Sequence, residues 1–186
     1  MSALSAAENS RLPAQGGRTR RNRRKVCVVV GIGNPLMGDD GFGIEMARAL
    51  RKLDLGPRVL VLERQTMDIG VLDSAKGSSK LVIVDAVKSG MPPGRVVKFA
   101  AGGPRSLPIR VPLSHEQNLH DILALARRSG MRLPLTVVVG VEPADCTAGN
   151  GLSAEVRRAL PRALEEVRNE VKECAGKRRD GPARPF

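Results

Sequence analysis

Short, wholly apolar runs alternate along this chain with stretches whose apolar residues recur every three or four positions. Val26 to Val30, with Cys27 among them, form the first run, the pattern of a strand buried on both faces. The chain breaks at Gly31 and Gly33 and turns through Asn34-Pro35. Behind Gly41 and Gly43, the positions Ile44, Ala47, Leu50 and Leu53 mark one face of an amphipathic helix. A second strand follows over 58–63, then a short helix over 67–73 weakened by its interior Gly70, then a third strand over 80–87. A turn cluster at 89–94 leads to a short strand over 95–100. That link is too short for a parallel crossover, so the fourth strand runs antiparallel to the third.

After an irregular, proline-marked stretch at 102–112, Ser114 and Gln117 form a capping box that opens a helix ending at Gly130. The last strand covers 135–141. Ser153 then caps a terminal helix with Val156, Leu160, Leu164, Val167 and Val171 on one face, and Pro161 predicts a kink or a restart within it. The order β-α-β-α-β-β-α-β-α predicts a three-layer α/β/α sandwich around a mixed, mostly parallel five-stranded sheet. It forms one domain over 26–175, between basic, flexible ends at 1–25 and 176–186.

The chain's formal charge of +12 changes this picture little. Residues 1–25 hold seven basic residues and one acid, and residues 168–186 hold six and three, so most of the excess lies at the two ends. With aromatic residues at only 2%, base-stacking platforms are nearly absent, and nucleic acid is not an expected partner. No apolar run approaches the roughly 18 residues of a membrane span. Cys27, Cys146 and Cys174 are too few and too scattered for a disulfide framework or a zinc knuckle, which fits a reducing cytoplasm.

Chemistry concentrates in three places. The loop after the first strand delivers Asp39 and Asp40, the third strand ends in Asp85, and the capping box puts His115 at the first position of its helix. Asp85, an acid closing an apolar strand, either bonds the amides of the next loop or serves a ligand. If the first and third strands are parallel neighbours, both acidic loops lie at their carboxyl ends, where open α/β sheets bind ligands. The partial positive charge of a helix N-terminus keeps His115 neutral and able to ligate. His120 is about 140° further round that helix and cannot share the site. Two carboxylates and a neutral imidazole make a divalent-metal site with open positions, and imidazole suits nickel and zinc. Asp39 and Asp40 diverge by about 100°, so one serves as ligand while the other caps the helix that follows.

Nucleophile-elbow, zincin and P-loop motifs are missing, and Met37 stands where a dinucleotide fingerprint needs its third glycine. The runs GIGNPLMGDDGFG at 31–43, LVIVDAV at 81–87, PLSHEQNLHDIL at 112–123 and VVVGVEP at 137–143, followed by GLS at 151–153, resemble the hydrogenase maturation endopeptidases. Members of that family remove the C-terminal extension of nickel–iron hydrogenase large-subunit precursors after nickel insertion. The resemblance spans roughly residues 26–170. It implies a phosphorylase/hydrolase-like sandwich whose fourth strand is antiparallel. It also implies Asp40, Asp85 and His115 as metal-holding and catalytic positions, Asp39 as the acid beside the first ligand, and Gly31, Gly33, Asn34, Gly41 and Gly43 as support for the loop.

Nickel would arrive in the precursor, with another divalent metal substituting in vitro. The implied partners are the precursor and hydrogenase assembly chaperones. One departure bears on substrate preference: Glu63-Arg-Gln-Thr66 stands where many relatives carry an Asp-Gly-Gly-Thr-like run. Two alternatives compete with this reading. Gly31–Pro35 also matches the opening of peptidyl-tRNA hydrolases, but Ile44 stands where that family places a histidine, and the two acids would repel phosphate. A non-enzymatic nickel-binding assembly factor would bind the precursor without shortening it.

Overall fold

The structure, a computed structural model, describes residues 27–101, 119–149 and 151–176. Its elements are β1 (Cys27–Ile32), α1 (Phe42–Arg51), β2 (Val59–Arg64), α2 (Ile69–Ser74), β3 (Lys80–Ala86), β4 (Val96–Ala101), α3 (Leu119–Arg128), β5 (Leu135–Val141) and α4 (Ala154–Gly176). They form one five-stranded sheet in the order β2-β1-β3-β5-β4. All pairings are parallel except β4 against β5.

The fourth strand is antiparallel, as its short link requires, but its neighbour is β5 and not β3. Composition explains the swap. Beyond its exposed first residue β5 is buried throughout and suits the interior, whereas β4 alternates and exposes Lys98, a charge that discourages further pairing at an edge.

Period-two alternation divides the core into two layers. Cys27, Val29, Val82, Val84, Val137 and Val139 face α1 and α4, which add Phe42, Met46, Leu50, Val156, Ala163 and Val167. Val28, Val30, Ile32, Leu81, Ile83 and Val138 face α2 and α3, which add Val71, Leu72, Leu123 and Ala126.

Two local expectations are corrected, and a third is narrowed. β1 continues through Gly31 to Ile32, and the chain turns only at Gly33. α1 stops at Arg51, where Lys52 N and Leu53 N bond the carbonyls three residues back, so Leu53 lies outside the helix and is exposed. α4 shows no restart at Pro161. Burial of Val156, Ala159, Ala163, Val167 and Val171 along the sheet outweighs the roughly 3 kcal/mol that an internal proline costs. At the amino end of the sheet, buried Lys80 Nζ lies 2.6 Å from Glu170 Oε2, tying α4 to β3. Burial alone would lower this lysine's pKa, but Glu170 and Glu173 hold it above the usual range, so the pair is charged at neutral pH.

Candidate functional site

From β1 the chain crosses by α1 to β2 on one side, and its next parallel strand, β3, lies on β1's other side. The carboxyl ends of β1 and β3 are therefore the switch point of the sheet, the position at which open α/β sheets bind ligands. Asp40 follows β1 and Asp85 closes β3. Both are buried, and the turn carrying Asp40 packs against β3.

The glycines make this approach possible. Gly33 has a φ of +140°, and a Cβ there would stand 1.8 Å from the carbonyl oxygen of Asp40. A Cβ on Gly43 would meet the carbonyl oxygens of Ile32 at 2.1 Å and Val84 at 2.4 Å. Backbone without side chains thus brings the start of α1 onto β1 and β3. Asn34 N donates to Asp40 Oδ2 at 2.8 Å, while Asn34 Oδ1 accepts from Leu36 N at 3.0 Å, so the asparagine shapes the turn and holds the acid. Asp39 and Asp40 sit in a 3-10 turn, Gly38–Gly41, ahead of α1.

Neither acid caps α1, contrary to the sequence expectation: its N-cap is Gly41, with no side-chain hydrogen bond. Fully buried Asp39 reaches across the molecule. Its Oδ2 accepts from Ala144 N at 2.8 Å and Asp145 N at 3.1 Å, and its Oδ1 accepts from Ser153 N at 2.7 Å. Ser153 itself caps α4, its Oγ accepting from Val156 N at 3.3 Å. The loop after β5 also bonds backbone to backbone with the acidic turn, through Asp39 N to Asp145 O at 2.9 Å and Gly38 N to Gly149 O at 3.1 Å.

His115, with the capping residues Ser114 and Gln117, lies outside the described residues, as do the side chain of His120 and most of the two basic ends. Among the described residues no three histidine, cysteine or acidic side chains are grouped to hold a metal ion. Cys146, on the loop bound by Asp39, is half-buried. Burial and the Asp40 carboxylate raise its pKa, so it remains a protonated thiol and a poor nucleophile at neutral pH.

Glu142 is a residue to which sequence reasoning gives no role. It directly follows β5, and an acid at the end of an apolar run, as with Asp85 near the end of β3, is the signal that points to it. Its Oε2 accepts from Ser89 N at 2.7 Å, Ser89 Oγ at 2.6 Å and Met91 N at 3.2 Å, fastening the loop after β3. Burial pushes its pKa up, but the Ser89 hydroxyl and the amides of Ser89, Met91 and Gly90 bring it below the usual glutamate value. A lowered folded value contributes stability above the ordinary glutamate range, lost as pH falls through the folded value. Protection of the Ser89 and Met91 amides in hydrogen exchange should therefore be level near neutrality and fall in acid. Glu142→Gln should remove that pH dependence and lower protection by about tenfold, as expected for one charge-assisted hydrogen bond.

Fold and rim define a three-layer α/β protein with two buried carboxylates at its switch point, and comparison with known proteins narrows that class. The hydrogenase maturation protease (HycI) family model matches residues 44–170. The hydrogenase expression/formation protein HoxM of Cupriavidus necator is 28% identical over 145 residues, 76% of this chain and 70% of that protein. HupM of Azotobacter chroococcum, of the same description, is 31% identical over 141 residues, 74% of this chain and 67% of that protein. The hydrogenase maturating endopeptidase HybD of E. coli superposes with a TM-score of 0.68 at 25% identity, over 81% of this chain and 94% of that one. This chain belongs to the hydrogenase maturation protease family. Its chemistry is that of a peptidase, which sets aside the peptidyl-tRNA ester reading. Among the described residues no helix is long and apolar enough to cross a membrane.

Proposed function

We propose that this protein is the endopeptidase that removes the C-terminal extension of a nickel–iron hydrogenase large-subunit precursor after nickel insertion. Asp40, Asp85 and His115 are the groups that meet the nickel. The observation that carries this reading is the burial of Asp40 and Asp85 at the switch point of the sheet, where open α/β sheets bind ligands. His115 stands four residues ahead of Leu119, the first described residue of α3. Only six residues link α3 to β5, a connection typical of α/β units whose helix runs opposite to its strand. That supports an orientation of α3 with its Leu119 end toward the carboxylates, and His115 is only four residues from Leu119 in the sequence.

The donor set fits. Two hard oxygens and one imidazole suit a divalent ion of nickel's kind, and without a thiolate they make a modest resting site. The nickel is accordingly part of the substrate, although another divalent ion can substitute in vitro. Bound there, a divalent ion supplies Lewis acidity toward a peptide carbonyl or a water. The chain supplies anionic donors held in place by Asn34 and the glycine turn, together with a rim to position the scissile peptide. Assembly chaperones are the expected companions of the precursor, and a content of only three scattered cysteines supports a reducing cytoplasmic setting.

Mixing the full chain with nickel-loaded precursor and measuring precursor mass tests this. Loss of the extension from nickel-loaded but not nickel-free precursor is expected. Binding without any mass change would mean an assembly factor, and equal cleavage of both forms would remove nickel docking from the reading.

A further inference from the structure

The residue at the carboxyl end of β2 occupies a telling position. Arg64 is the last residue of β2 and pairs in register with Ile32 of β1. Gly31 in turn pairs with Val84 of β3, so Ile32 is level with Asp85. Side-chain alternation assigns all three to one face, since Leu60 and Leu62, Val30 and Ile32, and Leu81 and Ile83 all pack in the layer facing α2 and α3. Arg64, Ile32 and Asp85 thus form one row across the carboxyl rim. Two strand spacings put the arginine and aspartate backbones roughly 10 Å apart.

Arg64 also has capacity to spare. Of its five N–H donors, one bonds the Glu63 carbonyl at 2.9 Å, and among the described residues it forms no ion pair. Neighbouring Glu63 lies on the opposite face, where Arg48 at 3.4 Å and Arg51 neutralise it. A half-buried, planar guanidinium of this kind suits bidentate recognition of a carboxylate.

We propose that Arg64 is a specificity-determining residue that binds a carboxylate of the precursor's C-terminal segment. The inference rests on the endopeptidase reading. Extended peptide advances about 3.4 Å per residue, so the carboxylate lies within about three residues of the scissile bond.

The test measures steady-state shortening of nickel-loaded precursor by the wild-type chain, Arg64→Gln, Arg64→Lys and the exposed control Lys88→Gln. Arg64→Gln should raise KM about tenfold with kcat within about twofold, the behaviour of a lost ground-state contact. Arg64→Lys should recover part of the loss, and Lys88→Gln should change KM less than about twofold, as a rim charge does. Precursors with each nearby acid changed to its amide, or lengthened by two alanines to displace the terminal carboxylate, identify the partner. One of them should be a poor substrate for wild type and suffer no further loss with Arg64→Gln.

An unchanged KM for Arg64→Gln, losses that multiply for every precursor, or an equal loss for Lys88→Gln would overturn the assignment. Failure of the wild type to shorten any precursor would defeat both readings. Normal shortening with an indifferent Arg64 would defeat this one alone.

Discussion

Asp40→Asn and Asp85→Asn should each abolish shortening of the nickel-loaded precursor while leaving the folded chain intact. The fall in rate should exceed about a hundredfold, because losing even an outer partner of a metal ligand commonly costs 10- to 100-fold. The amide keeps the volume of the acid and one oxygen able to accept from Asn34 N, so the turn around Asp40 retains its hydrogen bond. What disappears is the negative charge that a divalent ion requires from its donors. Relief of a buried charge offsets part of what the weakened contacts lose, so both variants should remain folded under assay conditions. His115→Ala completes the set. Precursor mass reports activity and thermal unfolding reports integrity, and wild-type cleavage by any of the three variants would remove that residue from the site.

Much of this arrangement is legible in the amino-acid sequence. Apolar runs locate β1, β3 and β5 to within a residue or two, because interior strands of a parallel sheet have no polar face to confuse the pattern, and flanking turn residues bound the edge strands β2 and β4 about as closely. Asp85 stands out because an acid after four apolar residues is costly to bury, and the acidic turn because glycines bracket it. The partner of β4 is not legible, since a short link fixes a strand's direction but not its neighbour. Local pattern assigns one of the paired acids to the nearest helix start, whereas the amide partners of Asp39 lie more than a hundred residues away, a separation for which such patterns carry no signal. The row formed by Arg64, Ile32 and Asp85 exists only once register is known.

The distant reach of Asp39 leads to the second large effect, which is on stability. Asp39→Ala and Asp39→Asn should each cost roughly 3 kcal/mol or more, since every buried amide left without its acceptor costs about 1–3 kcal/mol. In a domain of this size that lowers the melting temperature by roughly 10 °C. Among the described residues no cation pairs with this carboxylate. Its charge is matched by the amides of Ala144, Asp145 and Ser153, the last of them at the positive end of α4. Alanine leaves those three donors without their acceptor. Asparagine returns one oxygen but turns an NH2 group toward the others, so it should rescue little. Because the same contacts join the acidic turn to the loop after β5 and the start of α4, early loss of protection should appear at residues 144–153. Well below its melting point, Asp39→Asn should still shorten nickel-loaded precursor far better than Asp40→Asn does. Adjacent acids would then divide the work, with Asp39 holding the turn in place and Asp40 meeting the substrate. A stable but inactive Asp39→Asn would instead put both carboxylates at the reacting centre.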